Sequence, residues 1–576
     1  MPRAPSYSVL LLLGAVLVHG GCGENDPAAS PSPDGGEPSP TGTLDTGPIT
    51  SPGPASLSPE KHLLRVSMAL TGKRPSLQEL RAVRDDPDAL GDIVDGYLET
   101  DDFGTVVRDM HDEWWLLESS IGALPTVGLD PAADPAKMLR DLPNQPLSLI
   151  ERVVREDMPY TEVLLADWTM GNRVASSAWV GMYEPSEEFV PTEWTDGRPT
   201  AGMLSESWVY VAYRSAPGNH NRRRANAFSR TLLCLDFLAA IPIPDEDLDL
   251  NDPVQVNDAV RNDPACASCH DNLDPLASFL AMRPYPVLTE ETWPLAMYNP
   301  AYEDLWKAVD GLPPAYFGQP GEGGVVDLAN FIADDPRFRQ CAVQRFVSYL
   351  EQTPLEDVEY QRVLDLTDTF ENNGLLAKKL VRDIVTADRF ASLNDDGPGP
   401  QMIRPEHVGP LFDDLVGFTW TAESDVPCCG NKFGSRPYGH VPDVTRDAYI
   451  GHRLLLGGVD APNVTLPTHT STPSSLVTLR TVAQLAADHE VRQWRDGAPR
   501  LLTTVSPDLA ADPEAVRDQV VALHQRLYAE FLEPDHEEID ATVALFESLN
   551  ERLDDPQKAW EMVLWAMFQD LRMVMY

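Results

Sequence analysis

Five consecutive residues, Cys266-Ala267-Ser268-Cys269-His270, restrict what this chain can fold into more than any other stretch. Two thiols and an imidazole must be turned toward one partner by whatever backbone carries them. The pattern Cys-x-x-Cys-His is the attachment signature of a c-type haem. The two sulfurs form thioether bonds to the macrocycle, and the histidine beside them gives a ring nitrogen to the iron. With 7 Cys and 12 His in 576 residues, the pattern arises by chance about 0.002 times per chain, taking those frequencies over all start positions. Two other chemistries use the same residue types. A Cys266–Cys269 disulfide of the thioredoxin kind needs a βαβ context, and none is visible in the flanking sequence. A zinc site needs a second Cys/His pair at ligand spacing, for which adjacent Cys428 and Cys429 are a poor source. The expectation is one covalent haem c, held by Cys266 and Cys269, with His270 as an axial ligand of the iron.

Attachment of this kind takes place outside the cytoplasm, and the start of the chain reads as an export signal. Arg3 supplies the charged start, and residues 9–18 form an apolar core too short to span a bilayer. His19-Gly20-Gly21-Cys22 follows. Small residues before a cysteine resemble the bacterial lipoprotein processing box, whose cysteine is lipidated and becomes the new N-terminus. His19 stands where that box usually has Leu, and an ordinary secretory signal with an incidental Cys22 is the alternative. Gly23, rather than Asp, after Cys22 points to the outer membrane. The expectation is an exported lipoprotein, tethered to the outer membrane through Cys22, on its periplasmic or cell-surface side. Residues 23–58 are dominated by Pro, Ser, Gly, Thr and Asp, the composition of a disordered tether extended by its prolines.

The formal charge is −46, and only 8 of the 44 basic residues are lysine. Nucleic-acid binding needs a basic footprint, so this composition excludes it. The acidic surface serves solubility, or it steers a basic redox partner protein. Once Cys22, Cys266 and Cys269 are assigned, Cys234, Cys341, Cys428 and Cys429 remain, an even set for an oxidising compartment. Three pairings are open. A vicinal Cys428–Cys429 bond is strained, so each of the two is expected to bond a separate distant partner.

From Pro59 onward apolar residues recur at helical spacing. Ser76 with Glu79 three positions on forms a capping box, and helices are expected near 76–98 and 102–118. A similar unit recurs twice. Residues 345–350 lead through Thr353-Pro354 to helices ending at Phe390, and residues 526–532 lead through Pro534-Asp535 to helices ending at Tyr576. Units of this size bury too little surface to stand alone, so they are read as small bundles supporting the haem segment. A helix is expected from Pro146 and another near 474–490, and residues 425–441 read as loop. No Gly-rich phosphate loop, HExxH or GxSxG is present. The fold class expected is mainly α: irregular multi-helix bundles around a c-type haem segment, with long loops and a disordered N-terminal tether. The divisions are a signal peptide over 1–22, a linker over 23–58, a helical unit over 59–145 and a haem region over 146–335. A helical unit over 336–398 and a mainly helical region of unassigned role over 399–576 complete the chain.

Arg222, Arg223 and Arg224 form the one basic cluster of note. They are either a solvated helix face or a set of forks for the haem propionates. An electron-transfer haem usually has Met or His on its far side. Met282 lies on the His270 side of the ring. Met297, beyond Pro284, Pro286 and Pro294, has the freedom to cross and is the candidate sixth ligand, with Met203 and His220 as upstream alternatives.

In order along the chain, residues 70–76, 162–169, 202–204, 223–234, 264–276 and 341–390 resemble landmarks of a known group. These are the large exported cytochrome c-like proteins of Planctomycetes and myxobacteria, built from domains of unknown function and carrying a single CxxCH motif. The nearest match is Pro264-Ala265-Cys266-Ala267-Ser268-Cys269-His270 followed by Asp274-Pro275-Leu276. The resemblance covers roughly residues 60–395, with weaker similarity over 559–576. It implies haem attachment at Cys266 and Cys269 and ligation by His270, and it implies no substrate. After Pro275-Leu276 the family usually continues with Gly and an acidic-aromatic stretch; here the chain reads Ala277-Ser278-Phe279-Leu280-Ala281-Met282. Electron transfer is the expected role. The alternatives are a haem-dependent oxidase or peroxidase, a hydrolase with an accessory haem, and a non-haem surface binding protein with a Cys266–Cys269 disulfide.

Overall fold

The structure, a computed structural model, describes residues 56–118, 135–179, 182–213, 215, 220–239, 248–249, 252–280, 298, 300, 303–308, 311–394, 397–428, 436–460 and 464–576. Cys22, the export signal and nearly all of the tether lie outside them, as do Met282, Met297 and Cys429. Among the described residues the fold is mainly helical, with three two-stranded antiparallel pairs: Thr169–Gly171 with Val190–Thr192, Ala315–Tyr316 with Gln319–Pro320, and Ala422–Cys428 with Arg436–Val441. No described helix is long and apolar enough to cross a membrane.

The cap legible in the sequence forms. Ser76 Oγ accepts the Glu79 amide at 3.2 Å, and the Glu79 carboxylate accepts the Ser76 amide at 2.7 Å. Thr472 and Ser475 exchange the same pair of bonds at the start of the Pro473–Arg495 helix. Helix Pro59–Thr71 ends on Gly72 at φ +67°, where the His407 ring lies 3.1 Å from the place a Cβ would occupy. The left-handed turn and the close approach both select glycine there.

Three expectations about secondary structure are corrected. The single helix near 76–98 is two, Leu77–Asp85 and Leu90–Leu98, because Asp86 caps a 3-10 turn that starts at Pro87 and the proline has no N–H to continue the ladder. The helix expected from Pro146 begins at Pro135 and runs to Arg155 through Pro143 and Pro146. Burial of Leu139, Leu142, Leu147, Ile150 and Val153 outweighs the lost ladder bonds. Residues 425–441, read as loop, contain most of a hairpin with an irregular register between Ser424 and Pro427. Its prolines and Gly439 hide the strand signal.

The second and third repeated units run helix, turn, helix, helix and end on a further four-residue helix, whereas the first has an extra helix because 76–98 is split. The first two reach the Arg222–Leu232 helix through Asp101–Trp115 and Pro336–Glu351. In the third, Pro556–Phe568 packs against Pro473–Arg495. Residues 404–453, whose role the sequence left open, are bound to the Asp101–Trp115 helix by buried charges. Arg453 reaches Asp112 and Glu118 at 2.9 Å each and Glu406 at 2.8 Å. Arg404 pairs with Glu113 and donates to the Tyr349 carbonyl, and Arg446 pairs with Asp109. Asp112 also accepts the Leu117 and Glu118 amides, closing the end of its own helix.

Cys234 and Cys341 form a disulfide. Both Cys428 and Cys429 therefore cannot have the separate distant partners expected of them, since the pair that would have supplied those partners is used up. Cys234 follows the Arg222–Leu232 helix and Cys341 sits within Pro336–Glu351, two elements already packed together.

Candidate functional site

The Cys-x-x-Cys-His residues lie on helix Pro264–Ser278. Asp263 caps it, accepting the Ala265 amide at 2.7 Å, and Pro264 occupies the first turn, where no N–H is missed. Helical geometry then dictates the site. Positions 266, 269 and 270 stand three and four residues apart, so both thiols and the imidazole share one face. Cys266 and Cys269 are free thiols, not joined to each other, and both are half-buried. Burial, with Asp263 and Cys269 adding to it, raises the Cys266 thiol above its ordinary value.

The two halves of this helix differ in burial. Leu273, Leu276 and Ala277 are buried, as are Phe279 and Leu280 just beyond. Phe279 meets Phe331 edge-on at 6.1 Å and lies so close to Gly321 that a Cβ there would clash at 2.5 Å. Ser278 Oγ donates to the Leu312 carbonyl at 2.7 Å. The C-terminal half is an anchor, and the half carrying the thiols is left accessible. Ala277-Ser278-Phe279 is part of that anchor.

His270 is held in one orientation. Its Nδ1 lies 2.9 Å from Asp274 Oδ1, one turn further along the helix. Asp274 in turn receives the Arg222 fork, Nε to Oδ1 at 2.6 Å and Nη2 to Oδ2 at 2.8 Å. Burial alone would raise the Asp274 carboxyl, but the bonds from Arg222 and His270 outweigh it and hold it at about 2. The carboxylate is thus ionised at neutral pH and can only accept. His270 Nδ1 must carry the proton, and in the neutral ring the lone pair is on Nε2, the nitrogen available to a metal.

The three arginines of the basic cluster have different fates. Arg222 is committed to Asp274. Arg224 is buried, and its guanidinium donates to the Tyr213 and Tyr210 carbonyls at 2.8 and 3.0 Å and to Asn221 Oδ1 at 2.7 Å. That guanidinium is built into the core rather than offered to a propionate. Arg223 is the exposed member of the three. Of the alternative far-side ligands, Met203 is fully buried in the turn Gly202–Ser205. His220 is close enough to Arg222 and Asp274 for both charges to act on it, with burial the larger influence lowering its pKa. Among the described residues no group of three or more His, Cys, Asp or Glu side chains is placed to hold a metal ion by itself. A haem does not need one, since its macrocycle supplies four nitrogens and the chain one or two ligands. Two free thiols on one helix face beside an oriented imidazole fit that group.

Asp274 and Arg222 were not singled out as a pair by the sequence. Asp274 stands four residues after His270, a spacing that brings side chains together once a helix is known. Arg222 is brought in by tertiary packing of the 222–232 helix on the motif helix.

No protein-family model matches the chain, and no curated protein or solved structure matches it.

Proposed function

We propose that the chain is an exported, mono-haem c-type cytochrome-like lipoprotein that transfers electrons, of the kind found among the large exported cytochrome c-like proteins it resembles in sequence. The observation that carries this reading is the shared helix face of Cys266, Cys269 and His270, with both thiols free and the imidazole held by Asp274. A bound haem would supply a one-electron iron couple. Cys266 and Cys269 would fix its edge, and His270 Nε2 would face the metal. Asp274 keeps the Nδ1 proton in place. Leu273, Leu276 and Phe279 are buried and hold the helix against its neighbours. Lipidation at Cys22 would place the protein at the outer membrane, within reach of a redox partner, and Met297 would close the sixth position.

Optical spectra of the reduced protein, with and without carbon monoxide, test this function. A closed sixth position leaves the spectrum unchanged on the time scale of mixing, and Met297→Ala makes it respond. Rapid carbon monoxide binding by the wild type would instead indicate an open iron and turn the reading toward oxidase or peroxidase chemistry.

A further inference from the structure

We infer that Asp274, clamped by the Arg222 fork, is the positioning residue that fixes the orientation of His270 and sets its strength as a ligand. The inference rests on the haem reading above. Three features carry it. First, the contact is charged and shared: Oδ1 of Asp274 lies 2.9 Å from His270 Nδ1 and 2.6 Å from Arg222 Nε, while Oδ2 takes Arg222 Nη2 at 2.8 Å. Both carboxylate oxygens are held, so the plane of the acceptor is fixed, and through it the ring. Second, the clamp is rigid. Arg222 begins the helix Arg222–Leu232, whose Arg224 is bonded to two backbone carbonyls and whose far end leads to the Cys234–Cys341 disulfide. Third, the three side chains are only 24%, 14% and 19% exposed for His270, Asp274 and Arg222, so the Asp274 and Arg222 charges act on the imidazole with limited screening.

The chemical consequence follows from the direction of the hydrogen bond. A Nδ1–H donated to an anion pushes electron density onto the ring and makes Nε2 a stronger donor. A stronger donor favours ferric over ferrous iron, so Asp274 would lower the midpoint potential, and Arg222 would moderate that effect by drawing off part of the carboxylate charge. The two residues therefore act in opposite directions on one quantity. Simple loosening of the helix cannot produce that pattern.

Mediated redox titration of the haem-loaded protein reads it out. Asp274→Asn keeps the shape and an acceptor oxygen while removing the charge. It should shift the ferrous/ferric ratio about tenfold toward ferrous, equivalent to 59 mV upward for a one-electron couple. Arg222→Gln leaves the carboxylate charge and should move the potential downward. No upward shift in Asp274→Asn, or no downward shift in Arg222→Gln, overturns the inference while leaving the haem reading intact. A wild type without covalent haem overturns both. Should Asp274→Asn fail to mature, the wild type decides by NMR: the His270 Nδ1 proton should be protected from solvent exchange, and free exchange contradicts the clamp.

Discussion

His407 shows how a single buried side chain ties stability to pH. Its ring packs on Gly72 and neither ring nitrogen finds a hydrogen-bond partner among the described residues. Burial, and after it the Arg404 charge, drives its pKa down to about 3. In the unfolded chain the value is about 6.5. Between these two values the unfolded state binds the proton and the folded state does not, so stability present above pH 6.5 is lost as the pH falls. His407→Leu removes this one contribution without breaking a hydrogen bond. Going from pH 7 to pH 5, the variant should lose about 2 kcal/mol less stability than the wild type, by urea unfolding at both values. Equal losses would show that His407 is protonated in the folded protein. The candidate site was partly legible at this scale. Cys266, Cys269 and His270 announce themselves by spacing, because the chemistry needs them within one helical turn. Asp274 was visible as a residue but not as a partner, and Arg222 lies 52 positions away, where only packing can bring it in.

At the scale of elements, the disulfide is the most consequential connection. Cys234–Cys341 closes a span of 107 residues that contains the entire motif helix. In the chain-entropy view, a cross-link over a loop of this length restricts the unfolded state by about 4–5 kcal/mol, less any native strain. Replacing both cysteines with Ser should lower the unfolding free energy by about 2–5 kcal/mol. Denaturant titration of the oxidised wild type and the double variant checks it; a loss below about 1 kcal/mol would mean that packing alone holds the two helices. Helices were the legible elements, since apolar spacing and a cap such as Ser76/Glu79 are local. Elements whose formation depends on burial were not. The Pro135–Arg155 helix crosses two prolines because its apolar face is fully buried, and the 422–441 hairpin pairs strands that contain prolines. The Cys234–Cys341 pairing belongs with these, since sequence arithmetic gives the number of cysteines and not their distances.

Over the whole molecule, the mainly helical class was readable from periodicity, while the role of residues 400–576 was not. The structure ties residues 404–453 to the Asp101–Trp115 helix. Arg453, buried, gathers Asp112, Glu118 and Glu406 from two distant parts of the chain. Arg453→Met leaves those buried carboxylates unpaired and should cost about 3–5 kcal/mol. Arg453→Lys should recover little, because one ammonium cannot reproduce the planar fork. Urea midpoints of both variants decide the point, and a methionine variant as stable as the wild type would contradict the clamp. The acidic composition, net −46, belongs to this scale too, as a property of the surface rather than of the fold. The central claim is that Cys266 and Cys269 carry a covalent haem. The direct measurement is the absorption spectrum and intact mass of the denatured polypeptide, produced by export in a host that matures c-type cytochromes. One haem should remain attached to the denatured wild type and be absent from the Cys266→Ala/Cys269→Ala variant. A wild-type polypeptide without haem, its two thiols alkylatable or joined to each other, would contradict the account.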